Sequence, residues 1–425
     1  MAITEKRETK FKDTEIGLIP EEWKIVILEE VLETIIDYRG KTPKKTKAGI
    51  PLVTAKIVKN GSILEPTEFI SEDDYDSWMT RGFPQSGDLV LTTEAPLGEV
   101  AILDSKKIAL AQRIVTLRGK TDLLSNHYLK YFFQSDIGQY TLKAKMSGTT
   151  ITGIKQSELR KINILQPPFH EQKAIAEILS SLDEKIELNR RMNKTLEEMG
   201  KALFKRWFVD FEFPNEDGKP YKSSGGKMVD SELGEIPEGW KVKPLENFVE
   251  IFDSKRVPLS SREREACQGT YPYYGATQAM DYVNDYLFDG IYLLVAEDGT
   301  VKTSDSKPVT QYVWGKFWVN NHAHIIQGTN GYSTEAIKIF LDNINIDCYI
   351  TGAVQPKINQ SALRSIPVIS PCKKYLEQYN SMVLFLFDQL RLLTNEINSL
   401  EKIKSSLLPK LISGRIRVEG ELCKA

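Results

Sequence analysis

The sequence predicts a mixed α/β fold: two related globular modules separated by two long antiparallel coiled-coil helices, with an internal pseudo-two-fold repeat. Three observations predict it. Glu15-Ile16-Gly17-Leu18-Ile19-Pro20-Glu21-Glu22-Trp23-Lys24 returns 217 positions later as Glu232-Leu233-Gly234-Glu235-Ile236-Pro237-Glu238-Gly239-Trp240-Lys241. A match that keeps Gly, Pro and Trp in register marks a tandem duplication. Ser147-Gly148, Ile154, Gln156-Ser157 and Leu159-Arg160 recur as Thr351-Gly352, Ile358, Gln360-Ser361 and Leu363-Arg364 at an offset of 204, so the second copy is 13 residues shorter between the matched blocks. Finally, each copy ends at a proline-marked boundary, Pro167-Pro168 or Pro371-Cys372, followed by a long stretch of helical spacing.

In chain order, the reading gives a first module with its N-terminal tail at 1–168, a first long helix at 169–211 and a linker at 212–230. A second module follows at 231–371, then a second long helix at 372–412 and a C-terminal tail at 413–425. Inside the modules, Gly87-Asp88-Leu89-Val90-Leu91-Thr92-Thr93 and Gly290-Ile291-Tyr292-Leu293-Leu294-Val295 leave a turn and enter a buried strand. Ser125 to Ile137 and Thr334 to Leu341 read as short helices. Pro214 to Lys227, rich in Gly, Ser, Pro and charge, reads as exposed linker.

The long helices carry a seam. Tyr379, Val383, Leu386, Leu390, Leu393, Ile397 and Leu400 alternate steps of four and three, and Ile403, Leu407 and Leu411 continue the stripe. At the 204 offset the first copy supplies Ile175, Leu179, Leu182, Ile186, Asn189, Asn193, Leu196, Met199 and Leu203. Asn189 and Asn193 thus stand where the second helix has Leu393 and Ile397; buried Asn weakens a seam but fixes register. Such a helix, about 37 residues long, spans roughly 55 Å. Phe204, Trp207, Phe208 and Phe211 cluster at the end of the first helix, and their density makes a partner-binding surface a reading beside the ordinary one of core.

Hydrophobic residues at 41% and charged residues at 27% over 425 positions are those of soluble globular modules. No run of about 18 apolar residues occurs, and the start lacks a signal-peptide core, so the cytoplasm is the expected compartment. Cys267, Cys348, Cys372 and Cys423 lie far apart without paired spacing, which speaks against a zinc site or disulfide framework.

A net charge of -2 does not announce a nucleic-acid binder, but the average hides an asymmetry. From Tyr38 to Lys59 there are seven basic residues (Arg39, Lys41, Lys44, Lys45, Lys47, Lys56, Lys59) and no acid. A solvated loop is the ordinary explanation; phosphate contact is the sharper one, because clustered cations release counterions from a nucleic-acid backbone. In the second module Tyr271-Pro272-Tyr273-Tyr274 and Asn320-Asn321-His322-Ala323-His324 stand out. His322 and His324 share a strand face as a metal site requires, yet no Cys or acid is placed beside them by the sequence, and hydrogen bonding to base edges is preferred.

Catalytic motifs are absent. Gln166-Pro167-Pro168-Phe169 resembles the Asn/Asp-Pro-Pro-Tyr/Phe motif of amino-methyltransferases, but Gln replaces the gripping residue and no Gly-rich donor turn accompanies it. A proline pair at a helix start explains it. There is no phosphate-binding Gly-x-x-x-x-Gly-Lys-Ser/Thr loop and no nucleophile elbow.

The doubled Ile-Pro-Glu-x-Trp block, Asp37-Tyr38-Arg39-Gly40-Lys41-Thr42-Pro43, Pro167-Pro168 leading into Glu171-Gln172-Lys173, Leu203 to Phe211 and Leu407 to Ile416 together resemble the DNA-specificity subunits of type I restriction-modification systems. The resemblance implies two target recognition domains, each reading half of an asymmetric, interrupted double-stranded DNA target, with the helices setting the gap and docking two methyltransferase subunits. It also implies two motor-nuclease subunits, with S-adenosylmethionine, ATP and Mg2+ on those partners and no cofactor on this chain. Under that reading the DNA-binding candidates are Arg39, Lys41, Lys44, Lys45, Lys47, Thr92, Thr93, Gln112 and Arg113 in the first module. In the second they are Lys255, Arg256, Tyr273, Tyr274, Asn321, His322 and His324. Arg39 and Arg256 match at the 217 offset and form the leading pair. The alternatives are a self-sufficient N6-adenine methyltransferase and a coiled-coil scaffold unrelated to DNA.

Overall fold

A computed structural model describes residues 10–104, 107–147, 152–352 and 355–418. The start read as free of a signal-peptide core, Gly148 of the second repeated block, Cys423 and residues 419–425 of the tail lie outside them. The chain divides into two units, Met1–Glu187 with Ile397–Ala425, and Leu188–Glu396. Each long helix, Phe169–Phe204 and Lys373–Ile412, contributes one stretch to each unit. The helices therefore pack as part of the modules and not as domains of their own.

The repeated block is the frame of each unit. Ile19–Pro20 pairs with Phe11–Lys12, and the Trp23 amide donates to the Pro20 carbonyl at 3.0 Å. In the second unit Ile236–Pro237 pairs with Met228–Val229, and Trp240 donates to Pro237 at 3.0 Å. Gly17 and Gly234 both have positive φ (106° and 91°), a turn conformation that a side chain would strain. Lys24–Ile27 then pairs with Asn163–Gln166, and Lys241–Pro244 with Pro367–Ser370. These strands tie the start of each module to its end, immediately before its long helix.

In the first unit Trp23 is fully buried, and its indole N–H donates to Glu171 at 2.9 Å. Arg417 closes on the same carboxylate at 2.7 and 3.0 Å. Gly414 makes this turn possible: a Cβ there would lie 2.4 Å from the Pro20 ring.

Each unit has its own sheet, with the same strand order at its centre. In the first, the strand order is Leu97–Ile102, Leu89–Thr93, Ile114–Gly119, Leu32–Asp37, all antiparallel. In the second, Thr310–Val319, Phe288–Ala296, Ala323–Gly328 and Val249–Ile251 take the same order within a six-stranded sheet. Each also has a parallel pair, Ala109–Leu110 beside Leu52–Val53 and Trp318–Val319 beside Tyr273–Tyr274. These registers locate the length difference: the second copy is 4 residues longer up to Tyr274 (offset 221 from Val53, against 217 at the doubled block) and then 17 shorter, since Val53 to Thr93 spans 40 positions and Tyr274 to Glu297 spans 23, a net 13. The first unit fills the extra length with a hairpin, Val58–Lys59 with Ser62–Ile63, the strand Phe69–Ile70 and the helix Glu72–Trp78.

Within each unit the helical stretches run antiparallel. In the second, Asn189 pairs with Glu396 (2.9 Å), Asn193 with Thr394 (3.0 Å), and the Phe208 and Tyr379 rings meet at 4.8 Å. Asn189 is fully buried, as a seam position requires. The stripe opens at Met199 and Ile403, which are exposed.

Two local readings change. The helix expected over Ser125 to Ile137 is two helices, Asn126–Gln134 and Asp136–Ala144, because the Ser135 hydroxyl donates back to Phe132 and accepts from the Gly138 amide. The segment read as linker is exposed at its middle but fastened to the second unit: Phe213 is fully buried and stacks on Tyr221 (4.6 Å) and Trp240 (4.7 Å).

In the first unit, Asp183 accepts from Lys130 (3.1 Å), Tyr131 (2.9 Å) and Lys404 (2.5 Å). Burial pushes its carboxyl up, but the two ammonium groups and the hydroxyl outweigh that and hold it below its ordinary value. Its contribution is thus complete above the ordinary Asp range and lost as pH falls through the lowered value. Asp183→Asn is expected to remove part of the acid dependence of unfolding, read from denaturant midpoints between about pH 5 and pH 2; an unchanged acid limb would contradict the assignment.

Candidate nucleic-acid interface

The parallel strand pair and the central ladder meet at one turn in each unit, and the turn is held by the same backbone bonds. In the first unit Ala111 donates to Val53 (3.0 Å), Thr93 donates to the Arg113 carbonyl (2.9 Å), and Ile154 donates to Thr93 (3.0 Å). In the second, Asn320 donates to Tyr274 (3.1 Å), Glu297 to His322 (2.9 Å), and Ile358 to Glu297 (2.9 Å). Ala111-Gln112-Arg113 and Asn320-Asn321-His322 are therefore equivalent turns. The sequence reading selected Gln112, Arg113, Asn321 and His322, and the fold brings them to one place in each module.

The tips carry different chemistry on a shared plan. Arg113 is exposed and pairs with Glu94 at 3.2 Å; His322 is exposed and its Nδ1 meets Asp298 at 2.8 Å. Glu94 and Asp298, which the sequence reading missed, differ by the same 204 positions as the repeated block, so sliding that offset across the strands would have found them. Asn320 Oδ1 accepts from the His322 amide at 2.8 Å, an Asx turn that presents Asn321 and His322.

In the first unit this turn borders a cleft of about 220 Å³ lined by Thr42, Pro43, Lys45, Lys56, Gln112 and Arg113 among others. Lys41, Lys44 and Lys47 are exposed on the same loop, while Lys45 is engaged by Glu68 at 2.8 Å. The cations are available to an anion; long, exposed Lys side chains are held by little else.

Most of the other candidates lie inside. Arg39 is half-buried and donates to the Ile154 carbonyl at 2.7 Å. Arg256 donates to Glu297 (2.7 Å) and to the Asn321 and Ala323 carbonyls (3.3 and 2.8 Å). The leading pair thus braces the turns from within; their guanidinium groups are already committed. Thr92, Thr93, Tyr273 and His324 are buried; the strand Leu89–Thr93 is covered on both faces, so adjacent Thr92 and Thr93 are both inside. Tyr274 is half-buried, with its ring edge-on to Phe317 at 5.8 Å, and Lys255 is exposed over the Phe252 ring at 4.9 Å.

His322 and His324 do not converge. Asp253, Glu297 and His324 do, with candidate ligand atoms within 4.8 Å of one another. Those ligand atoms are already engaged within the chain: Arg256 and Lys357 hold Glu297 at 2.7 and 3.0 Å, and His324 sits on Asp253 at 2.6 Å with its other nitrogen on the Ile358 carbonyl at 2.8 Å. Burial pushes both carboxyls up, yet the His324 and Arg256 contacts bring Asp253 below its ordinary value, and Arg256 with Lys357 does the same to Glu297. The cluster is a compensated ionic network.

A family model described as the type I restriction modification DNA specificity domain matches residues 20–198 and 237–402. The chain belongs to this family. The two matched stretches begin 217 positions apart, at the prolines of the doubled block, and end 204 apart, reproducing both offsets of the repeat. The chain is 29% identical to the type I restriction enzyme MjaIX specificity subunit of Methanocaldococcus jannaschii over 97% of this chain and 98% of that one. It is 27% identical to the putative MjaX specificity subunit of the same organism, over 97% and 98%. A solved S subunit of a type I restriction-modification system from M. genitalium shares the fold with a TM-score of 0.57, at 17% identity over 92% of this chain and 96% of that one. No helix among the described residues is long and apolar enough to cross a membrane.

The aromatic density at the end of the first helix offers a partner surface as a reading beside core. Here Phe204, Trp207, Phe208 and Phe211 are buried in the core of the second unit, where Trp207 and Phe208 pack on Tyr379 and Phe211 on Trp240. Aromatic density at this helix end is core packing. Trp207→Ala is expected to destabilise the free chain by about 3 kcal/mol or more in denaturant titration; a variant of unchanged stability would restore the surface reading.

Proposed function

We propose that this chain is the non-catalytic DNA-reading subunit of a type I restriction-modification complex, each unit reading one half of a bipartite, asymmetric double-stranded target. The observation that carries the proposal is the pair of equivalent turns, Gln112-Arg113 and Asn321-His322, held by one backbone frame but differing at every exposed side chain. Arg matches the paired acceptors of guanine, and Gln or Asn the donor–acceptor edge of adenine, so the two turns suit different sequences. Lys41, Lys44, Lys47 and Lys56 around the first turn suit phosphates, which position the protein without specifying sequence.

Two methyltransferase subunits would dock on the helices and carry S-adenosylmethionine; motor-nuclease subunits with ATP and Mg2+ would complete the assembly. A groove of about 580 Å³ in the second unit, lined by Met199, Leu203, Met382 and Phe385 among others, supports a partner of apolar character there. Met199, Met382 and Phe385 are exposed, unlike the buried Phe204, Trp207, Phe208 and Phe211.

Mapping of N6-methyladenine in DNA from cells that express the chain with its methyltransferase partner tests the reading. The expected motif is bipartite and asymmetric, with an unspecified spacer. Arg113→Ala should relax one half and His322→Ala the other, each by about tenfold or more in discrimination, while Lys44→Ala should weaken both evenly and reduce the salt slope by about one. An uninterrupted palindrome, or donor binding by the isolated chain in calorimetry, would overturn it.

A further inference from the structure

The second unit mounts its turn on a linked ionic network, where the first has the single Arg39 contact to the Ile154 carbonyl. By ladder register, His324 stands where the first unit has Val115, and Glu297 where it has the buried Thr93. The substitutions convert an apolar support into a chain of ionic hydrogen bonds. Asp253 receives His324 Nδ1 (2.6 Å), the Ile325 amide (3.0 Å) and Gln360 (3.2 Å). Arg256 joins Glu297 to the carbonyls on both sides of His322, those of Asn321 and Ala323.

The same backbone position is also answered differently. In the first unit the Ile154 carbonyl accepts from Arg39; in the second its counterpart, Ile358, accepts from His324 at 2.8 Å. His324 thereby releases Arg256, the counterpart of Arg39, to reach the turn itself. Both nitrogens of His324 are engaged, Nδ1 with Asp253 and Nε2 with the Ile358 carbonyl, so the buried ring bridges the two.

We infer that the Asp253–His324–Glu297–Arg256 network is the positioning device of the second reading turn, and that it fixes sequence discrimination in that half of the target alone. This rests on the reading proposed above. Asn321 and His322 are short side chains on an exposed turn, and base discrimination depends on where their polar atoms sit. The two carbonyl contacts from Arg256 hold the backbone that sets those atoms. None of these network residues needs to touch DNA; they act through the turn.

The test uses the full chain with its methyltransferase partner on a randomised duplex pool, with methylation read position by position. The second half-site is defined as the one that His322→Ala relaxes. Glu297→Gln keeps the shape of the side chain and removes its charge, and is expected to lower discrimination in that half by about tenfold while leaving the other half within twofold of the parent. The double change Glu297→Thr with His324→Val installs the first unit's own residues and frees the Ile358 carbonyl for Arg256; the same one-sided loss is expected. Arg391→Met, which breaks a different buried ion pair of this unit (3.0 Å to Glu335), serves as the stability control and should leave the pattern of discrimination unchanged. Preserved discrimination in both Glu297 variants, or equal loss in both halves, would overturn the inference. A parent complex with no bipartite motif would instead overturn the proposed function.

Discussion

One backbone bond recurs in each unit, from the end of a central strand to the residue that tips the neighbouring turn: Thr93 to Arg113 and Glu297 to His322, both 2.9 Å. Everything exposed at the tip is carried by that bond and by the amide behind it, which closes on the strand from Ile154 or Ile358. A backbone bond is indifferent to side chains, so the tip can change identity without moving the frame. The constraint explains how a duplicated chain can keep one fold and acquire two chemistries. It also fixes which residues are free to vary: those that point outward from the turn.

Support beneath the frame is where the units diverge. The first uses apolar packing with a buried threonine hydroxyl that has no partner among the described residues, and the second uses an ionic network. A buried ion pair often adds little net stability over an apolar replacement, because desolvation offsets the attraction, but it is directional. Direction is what a reading turn requires. The helices follow a similar logic: Asn189 and Asn193 each donate an amide N–H across the pair and leave a buried oxygen without a partner among the described residues, a stability cost of the kind that fixes register.

Much of this was legible in the sequence. The Gly-x-x-Pro-x-x-Trp spacing identified the frame because each of those residues has a conformational or packing reason to be there, and the heptad steps identified both helices. Turn positions followed from polar residues placed just before buried strands. What stayed hidden was three-dimensional commitment: Arg39 and Arg256 look like free cations in a list of residues, but the fold brings a distant carbonyl and Glu297 to them. Thr92, Thr93, Tyr273 and the aromatic cluster at the helix end were misjudged for the same reason, since exposure depends on strand partners that are remote in sequence. Glu94 and Asp298 escape a reading that looks for cations, although the fold pairs them with Arg113 and His322 at the two tips.

The central claim is that equivalent turns of the two units face the bases. A structure of the complete complex on its own target duplex tests this most directly. The account predicts Gln112-Arg113 against base edges in one half-site and Asn321-His322 against base edges in the other, with Arg39 and Arg256 still bound to their carbonyls beneath. Turns directed away from the duplex, or DNA held by non-equivalent surfaces of the two units, would contradict it.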